Sequence, residues 1–576
     1  MCNYNYKFAI LFIALCCAFP WNLATVVYVS VDKETGEFFL NTTKGEDYVA
    51  FAHFNDSIDD VGWAFLQVNT SADYDDSQQA YAAGLAEGYL TKDLIFLHWI
   101  NTVHGYCKEK GKEMCTKLQK FIEINNDWLE NQIAQRADTD PYWHQIQLII
   151  AQLNGLNDGF SRQLGDGYYQ HTLLDNDIEH NTIFHDIPFA NRMLMFQLSG
   201  DLEDLEQVFN KNNVTLNRFE RVLGSGSCSA LIKLLPGNKD LYFAHDSWST
   251  YQSMLRILKK YNFQYHSLPQ KGSDIVPGHT MSMSSYPGTI FSIDDFYLLS
   301  SSLVAMETTI GNSNAGLWPQ VKPQRQVLEW MRVLVATRLA NTGKEWTAIF
   351  SKFNSGTYNN QWMIVDFNLF TPGRPLPEKG LLYVLEQLPG MIVSKDMTSI
   401  LAKQTYWPSY NSPYFPQIFK ASGLPEMVEK YGDWFTYDRT PRALIFKRDH
   451  TKVVDTSSMI KLMRYNDFKN DPLSRCNCTP PYSAENAIAA RSDLNPANGT
   501  YPFASLGHRS HGAIDMKLTN FDMAKRFEFI AIAGPTHDPL PPFQWSTASF
   551  PGETPHVGHP DLWSFDPIHV TWTQLD

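Results

Sequence analysis

The chain has 576 residues, 44% of them hydrophobic and 14% aromatic, which is ample apolar material for a large buried core and excludes general disorder. Its length calls for more than one domain or for one large, elaborated domain. A formal net charge of -14 with no long basic run excludes a protein that tracks nucleic-acid phosphates; Lys259-Lys260, the nearest approach to a basic patch, reads as a solvated helix face.

In chain order, residues 1–24 read as a secretory signal: Lys7 supplies the positive start, Ala9 to Leu15 the apolar stretch, and small residues near Ala24 a cleavage site. That stretch is short for a membrane span, and no later segment reaches about 18 uninterrupted apolar residues. A secreted or lysosomal protein with no stable membrane span is expected. Six acceptor triplets accord with that route, at Asn41, Asn55, Asn69, Asn213, Asn477 and Asn498.

Residues 25–72 alternate apolar and polar side chains, as in Val26-Val27-Tyr28-Val29-Ser30-Val31 and Trp63 to Val68, and predict strands. From Ser77 to about Leu164 the period becomes helical, so helices are expected to cover a sheet in this N-terminal portion. After the permissive stretch Gly224-Ser225-Gly226-Ser227, Cys228 to Leu235 predicts a buried strand. Pro236 to Asp240 supplies a turn, and Leu241 to His245 the returning strand. Antiparallel pairing would bring Cys228 close to His245. A helix is expected next, capped by Ser247 and carrying Tyr251, Met254, Leu255 and Leu258 on one face. Further strands are expected at Thr289–Ile293, Phe296–Ser300, Leu303–Thr309 and Gln361–Phe367, with a helix at Gln326–Asn341 that stops before Gly343. The Pro- and aromatic-rich tail after Pro535 is expected to wrap the body in irregular structure.

Of eight cysteines, Cys2, Cys16 and Cys17 leave with the signal, so an odd number remains in an oxidising compartment. Cys107 with Cys115, and Cys476 with Cys478, are spaced to close local disulfide loops, the second a tight ring. Cys228 is left as the free thiol. A zinc site is disfavoured because Cys-x-Cys near residue 476 has no partner pair at finger-like spacing. His508 and His511 read as polar surface positions, and neither a metal nor a cofactor is expected.

A lone Cys opening a strand is ordinarily a small apolar core residue. Here Gly224 and Gly226 precede it and supply the backbone freedom that a thiol needs to attack the carbonyl before its own residue. An N-to-S acyl shift followed by hydrolysis would free the α-amine of Cys228, which then serves as base for its own thiol.

The strings Gly-Ser-Cys228-Ser-Ala-Leu-Ile-Lys-Leu-Leu-Pro-Gly, His245-Asp-Ser-Trp248, Asp295-Phe-Tyr-Leu-Leu-Ser, Glu307-Thr-Thr-Ile-Gly-Asn312, Ser355-Gly-Thr-Tyr-Asn-Asn-Gln-Trp362 and Arg464-Tyr-Asn-Asp-Phe resemble the phospholipase B-like family. The resemblance covers nearly the whole chain after the signal. It implies an α+β fold, the αββα sandwich of N-terminal nucleophile hydrolases with a helical N-terminal portion. It also implies cleavage before Cys228 into an N-terminal chain of residues 25–227 and a C-terminal chain of residues 228–576, which stay associated. The bile-salt and penicillin V amidases are similar in using an N-terminal Cys. By that similarity Asn411, in Asn411-Ser412-Pro413, is expected to bind the oxyanion and Arg442 to sit beside the thiol. His245 is expected to orient the thiol or shuttle its proton, while Trp248, Asp246 and Thr309 are the candidate substrate-binding residues. The α-amine titrates near 7.7–8.0 when free, so work in an acidic compartment requires burial and Arg442 to lower it.

Three functions follow from this reading. The first is hydrolysis of glycerophospholipid acyl esters through a Cys acyl-enzyme, the second an amidase acting on N-acyl substrates, and the third a catalytically weak lipid-binding protein. No Gly-x-Ser-x-Gly elbow supports a lipase of another type.

Overall fold

The computed structural model describes residues 25–45, 47–162, 191–209, 227–550 and 554–573. The expected signal, the expected acceptor at Asn213 and the Gly224–Gly226 stretch lie outside the described residues. The fold is α+β. The chain opens with β1 (Thr25–Val31), β2 (Phe38–Asn41), β3 (Ala50–Ser57) and β4 (Trp63–Thr70). Helices follow at Asp76–Leu90, Lys92–Thr102, Lys112–Arg136 and Pro141–Ser161, as the change of period predicts.

The hairpin β5 (Ser227–Leu234) and β6 (Leu241–Thr250) comes next. It leads into β7 (Ile257–Asn262), β8 (Thr280–Ser285), β9 (Phe296–Leu299), β10 (Leu303–Thr309), β11 (Asn360–Asp366), β12 (Leu382–Leu388) and β13 (Met391–Asp396). The last strands are β14 (Tyr406–Ser409), β15 (His511–Ala513), β16 (Asp515–Thr519) and β17 (Phe529–Ala533). An 11-stranded sheet runs β13-β12-β11-β10-β9-β8-β7-β4-β3-β1-β2; a 7-stranded sheet runs β14-β5-β6-β16-β17 and ends on Ile568–Val570, with β15 beside β6.

Alternation along the strands builds four layers. Ala230, Ile232 and Phe243 of the smaller sheet share one core with Met306, Met363 and Val384 of the larger, so the two sheets face each other. The opposite face of the larger sheet packs on the helices Asp76–Leu90 and Pro141–Ser161. Leu231, Ala244 and Leu518 turn the other way, onto Phe446 and Met463 of the helices Pro441–Asp449 and Thr456–Met463. Burying each large apolar side chain in these cores contributes about 1.5–3 kcal/mol.

The helices Asp76–Leu90 and Pro141–Ser161 approach unusually closely, for a reason visible in the sequence: Gly84-x-x-x-Gly88 faces Gly155-x-x-x-Gly159. A Cβ at Gly84 would land on the Gln152 carbonyl, and one at Gly155 on the Tyr81 carbonyl. Gly155→Ala is therefore expected to destabilise the chain by about 1–3 kcal/mol through overpacking. Chemical denaturation that gave an unchanged midpoint would contradict this contact.

Several sequence expectations need correction. The strand expected to stop at His245 runs on to Thr250, because Trp248, Ser249 and Thr250 pair with Ala513, Gly512 and His511. No helix follows; a short 3-10 turn, Tyr251–Ser253, leads directly into β7. The helical spacing misled because the apolar residues divide between two cores, Tyr251, Met254 and Leu258 on one side and Leu255 on the other. Lys259 is not on a solvated helix face but is fully buried on β7, its Nζ 2.7 Å from Glu87 Oε1. Thr289–Ile293 forms no strand, since side chains satisfy its backbone instead: Ser285 Oγ donates to the Phe291 carbonyl and Lys259 Nζ to that of Thr289. The helix expected at Gln326–Asn341 spans Glu329–Leu339, and Gly343 opens the next helix, whose N-cap is Thr342.

The structure closes the disulfides Cys107–Cys115 and Cys476–Cys478, with Cα atoms 5.7 and 5.3 Å apart. Cys228 is the free cysteine. The acceptors Asn41, Asn477 and Asn498 are exposed, whereas Asn55 and Asn69 are half-buried. Among the described residues no helix is long and apolar enough to cross a membrane. The tail after Pro535 is mostly irregular, its short strand Ile568–Val570 adding to the edge of the smaller sheet.

Candidate functional site

Cys228 opens β5 opposite Ser247 of β6, while His245 lies opposite Ala230. The hairpin thus brings His245 near Cys228, two positions along from the direct partner. Alternation turns Cys228, Ser247 and His245 toward the larger sheet, and Ser229, Asp246 and Trp248 toward the outer helices. Cys228 is 4% exposed.

Groups far away in sequence clamp this residue. Its backbone N–H donates to Asn411 Oδ1 at 3.0 Å, across a separation of 183 residues. Asn411 follows β14, which pairs with β5, and adopts a left-handed backbone with φ of 63°, a conformation that Asn tolerates better than most residues. Its Nδ2 donates to the Thr309 carbonyl at 2.7 Å, so Thr309 orients the amide and leaves the second Nδ2 hydrogen for another acceptor. On the other side, Arg442 donates from Nη1 to the carbonyl of Cys228 at 2.5 Å and to Ser229 Oγ at 3.4 Å. Its guanidinium lies 4.3 Å from the centre of the Trp248 ring. Cys228, Asn411, Thr309, Arg442 and Trp248 therefore form one constellation.

The family model described as Phospholipase B matches residues 50–570, a span that contains all of these residues. The chain belongs to the phospholipase B family. A human protein named "Putative phospholipase B-like 2" is 49% identical over 547 residues, covering 94% of this chain and 89% of the human one. "Putative phospholipase B-like 1" of Caenorhabditis elegans is 47% identical over 530 residues, covering 91% of this chain and 87% of its own. "Phospholipase B-like protein B" of Dictyostelium discoideum is 38% identical over 550 residues, covering 94% and 89%.

Within this phospholipase B-family chain, electrostatics set what each site group is able to do. Burial, with the Glu307 carboxyl adding to it, pushes the Cys228 thiol well above its ordinary range, while the Trp248 N–H and Lys517 pull the other way. The thiol is thus protonated. His245 donates from Nε2 to the Glu307 carbonyl at 3.0 Å, which leaves Nδ1 without a proton. Burial, reinforced by Lys517, holds its pKa well below 6.5, so His245 is a neutral acceptor rather than a cation beside the thiol. Arg442 is lowered to about 10 by burial and stays charged at neutral pH. Asp246 faces away from the thiol, toward Arg464; burial raises its pKa well above the usual carboxylate range.

Sequence reasoning missed the charged group beside the thiol between the sheets. Lys517, opposite His245 on β16, donates to Ser247 Oγ at 2.7 Å and to Asp515 at 2.8 Å. Asp515 also accepts the Ser247 N–H at 2.9 Å and pairs with Arg256 at 2.8 Å. Arg256 pairs in turn with Asp294 and lies 4.2 Å from the Tyr286 ring centre. In sequence, Asp515-Met516-Lys517-Leu518 reads as an ordinary half-exposed strand, and nothing local marks its polar face as buried.

These buried groups make stability depend on pH. Burial raises Asp295 and Glu386 to about 7 and Asp201 to about 6. Their folded values exceed the unfolded ones, so the stability they contribute is full below about 4 and lost as pH rises through 7. Buried His98 and His559, lowered to about 3, and His450, lowered to about 4, work in reverse: their contribution is full above 6.5 and lost as pH falls through 4 to 3. The two sets oppose each other below 6.5, and only the carboxyl groups act above it. The unfolding temperature is expected to fall by roughly 1–2 °C between pH 6.5 and 8; a rise over that interval in a calorimetric series would contradict the assignment.

Proposed function

We propose that this chain is an acyl hydrolase that cuts its own Ser227-Cys228 bond and then hydrolyses glycerophospholipid acyl esters through a Cys228 thioester. The observation that carries this reading is the grip on Cys228 itself. Asn411 holds its N–H, which is the amide of the bond to be cut, and Arg442 holds its carbonyl in the peptide group that follows, so the nucleophile's backbone is fixed on both sides of its Cα.

In the first step Sγ attacks the carbonyl carbon of Ser227. The thiol proton passes to the departing Cys228 nitrogen, the C–N bond breaks and a thioester forms. Water then hydrolyses the thioester, releasing the Ser227 carboxylate and restoring the thiol beside a free α-amine. Asn411 Oδ1 accepts one hydrogen of that amine and so turns its lone pair toward the thiol. In turnover the amine takes the thiol proton, and the thiolate attacks the acyl carbonyl. The oxyanion takes a hydrogen bond from the free Nδ2 hydrogen of Asn411. Collapse expels the glycerol-side oxygen, which takes the proton back from the ammonium, and water completes deacylation.

Thr309 borders the acyl-binding space, while Asp246 and Trp248, on the far side of β6, act on the substrate only through the strand and through Arg442, which lies over the Trp248 ring. His245, neutral and buried, orients the thiol. The signal and acceptor triplets support an exported protein, and burial of the new amine beside Arg442 favours its neutral form in acidic surroundings.

Fatty-acid release from lysophosphatidylcholine and from an N-acyl amino acid, measured on wild type and Cys228→Ala, tests the reading. Release from the ester that requires Cys228 supports it. Cys228-dependent release from the amide alone would replace it with an amidase, and equal rates in the two proteins would remove Cys228 from the chemistry.

A further inference from the structure

A row of polar side chains crosses β10, β11 and β12 on the face of the larger sheet that meets the smaller one. Thr308 on β10 is paired with Gln361 on β11, and Gln361 with Glu386 on β12. Above and below them lie Met306, Met363, Val384 and Leu388. All three polar residues are fully buried.

The hydrogen bonds along this row run in a single direction. Glu386 ends the row with both oxygens already accepting backbone N–H groups, and Gln361 presents its Nε2 to Glu386 Oε1, at 2.6 Å, keeping Oε1 for Ser409. Ser409 Oγ donates to Gln361 Oε1 at 2.6 Å, which obliges Thr308 Oγ1 to donate to Ser409 Oγ, 2.7 Å away. Thr308 Oγ1 in turn accepts the backbone N–H of Asn411 at 3.3 Å. The same carboxylate takes the N–H of Tyr414 at 2.6 Å and that of Phe415 at 3.0 Å.

The segment from Ser409 to Phe415 is therefore tied at both ends to Glu386, through the relay at one end and directly at the other. Asn411 lies between these ties, in a left-handed backbone that costs free energy to hold. We infer that Glu386 is a positioning residue for the reaction, fixing through Gln361, Ser409 and Thr308 the segment that aims the Asn411 amide at Cys228. This rests on the proposed role of Asn411. Burial pushes Glu386 up to about 7, and the Gln361, Tyr414 and Phe415 donors oppose it, as expected of groups arranged around an anion. A buried carboxylate is a costly way to satisfy two amides, and an apolar row would pack at lower cost. What the carboxyl adds is a pair of acceptors that fixes the direction of every donor up to Asn411.

The test uses the full secreted chain as wild type, Glu386→Gln, Thr308→Val and Asn411→Ala. Turnover of lysophosphatidylcholine is read together with hydrogen exchange of residues 409–415. Glu386→Gln puts an NH2 group where a backbone N–H needs an acceptor. It is expected to lower kcat about tenfold or more with KM changed less than about twofold. Exchange of the Tyr414 and Phe415 amides is expected to speed about tenfold, while the unfolding temperature moves little. Thr308→Val keeps the side-chain shape and cuts the relay at its last link, so the same split is expected even if Glu386→Gln is not secreted. Wild-type kcat in both variants beside an impaired Asn411→Ala would overturn the inference and leave the proposed function standing. An unimpaired Asn411→Ala would overturn the oxyanion role itself and, with it, the catalytic meaning of the relay.

Discussion

Cys228→Ala is expected to accumulate as one uncut chain with no turnover above background. Both steps need the same sulfur, first to attack the Ser227 carbonyl and then to carry the acyl group, so a single substitution abolishes both. The fold survives, because alanine fills most of the space of a side chain that is 4% exposed and the backbone N–H keeps its bond to Asn411. Cys228→Ser separates the steps. A hydroxyl is a weaker nucleophile at neutral pH, and slow cutting with little turnover is expected, visible as a time-dependent conversion to two bands. Rapid cutting of Cys228→Ala would mean that another protease makes the break.

Asn411→Ala is expected to reduce kcat by about 10²–10³, the cost of losing one donor aimed at a developing oxyanion. KM changes little, since the contact strengthens only as charge builds on the substrate oxygen. Asn411→Asp is a harsher variant, because it places an acceptor and a negative charge where a donor is required. Asn411→Ala also releases the Cys228 N–H, so its cutting should slow in parallel with turnover. Loss of turnover with normal cutting would restrict Asn411 to the second step.

Local pattern was informative wherever one strand or helix decided the outcome. The run Leu303–Thr309 is β10 to the residue, and the period change near Ser77 marks the helix Asp76–Leu90. The hairpin of β5 and β6 follows from its turn residues, and the odd thiol from simple pairing. Pattern failed where tertiary contacts took over. Tyr251, Met254, Leu255 and Leu258 have helical spacing yet serve two different cores, and Lys259 is drawn inside by Glu87, which lies 172 residues away.

The site was legible in the same uneven way. Cys228 and His245 share a hairpin that local reasoning reaches. Asn411 and Arg442, separated from Cys228 by 183 and 214 residues, were reached only through family resemblance. Lys517, Asp515 and Glu386 escaped both routes, because a charged residue alternating with apolar neighbours reads as a solvent-facing strand position until a second sheet covers it.

The most direct measurement is N-terminal sequencing of the fragments of the purified protein. The account predicts that the C-terminal fragment begins with Cys228, and that this start is absent from Cys228→Ala made in the same cells. A C-terminal fragment beginning at any other residue would contradict it.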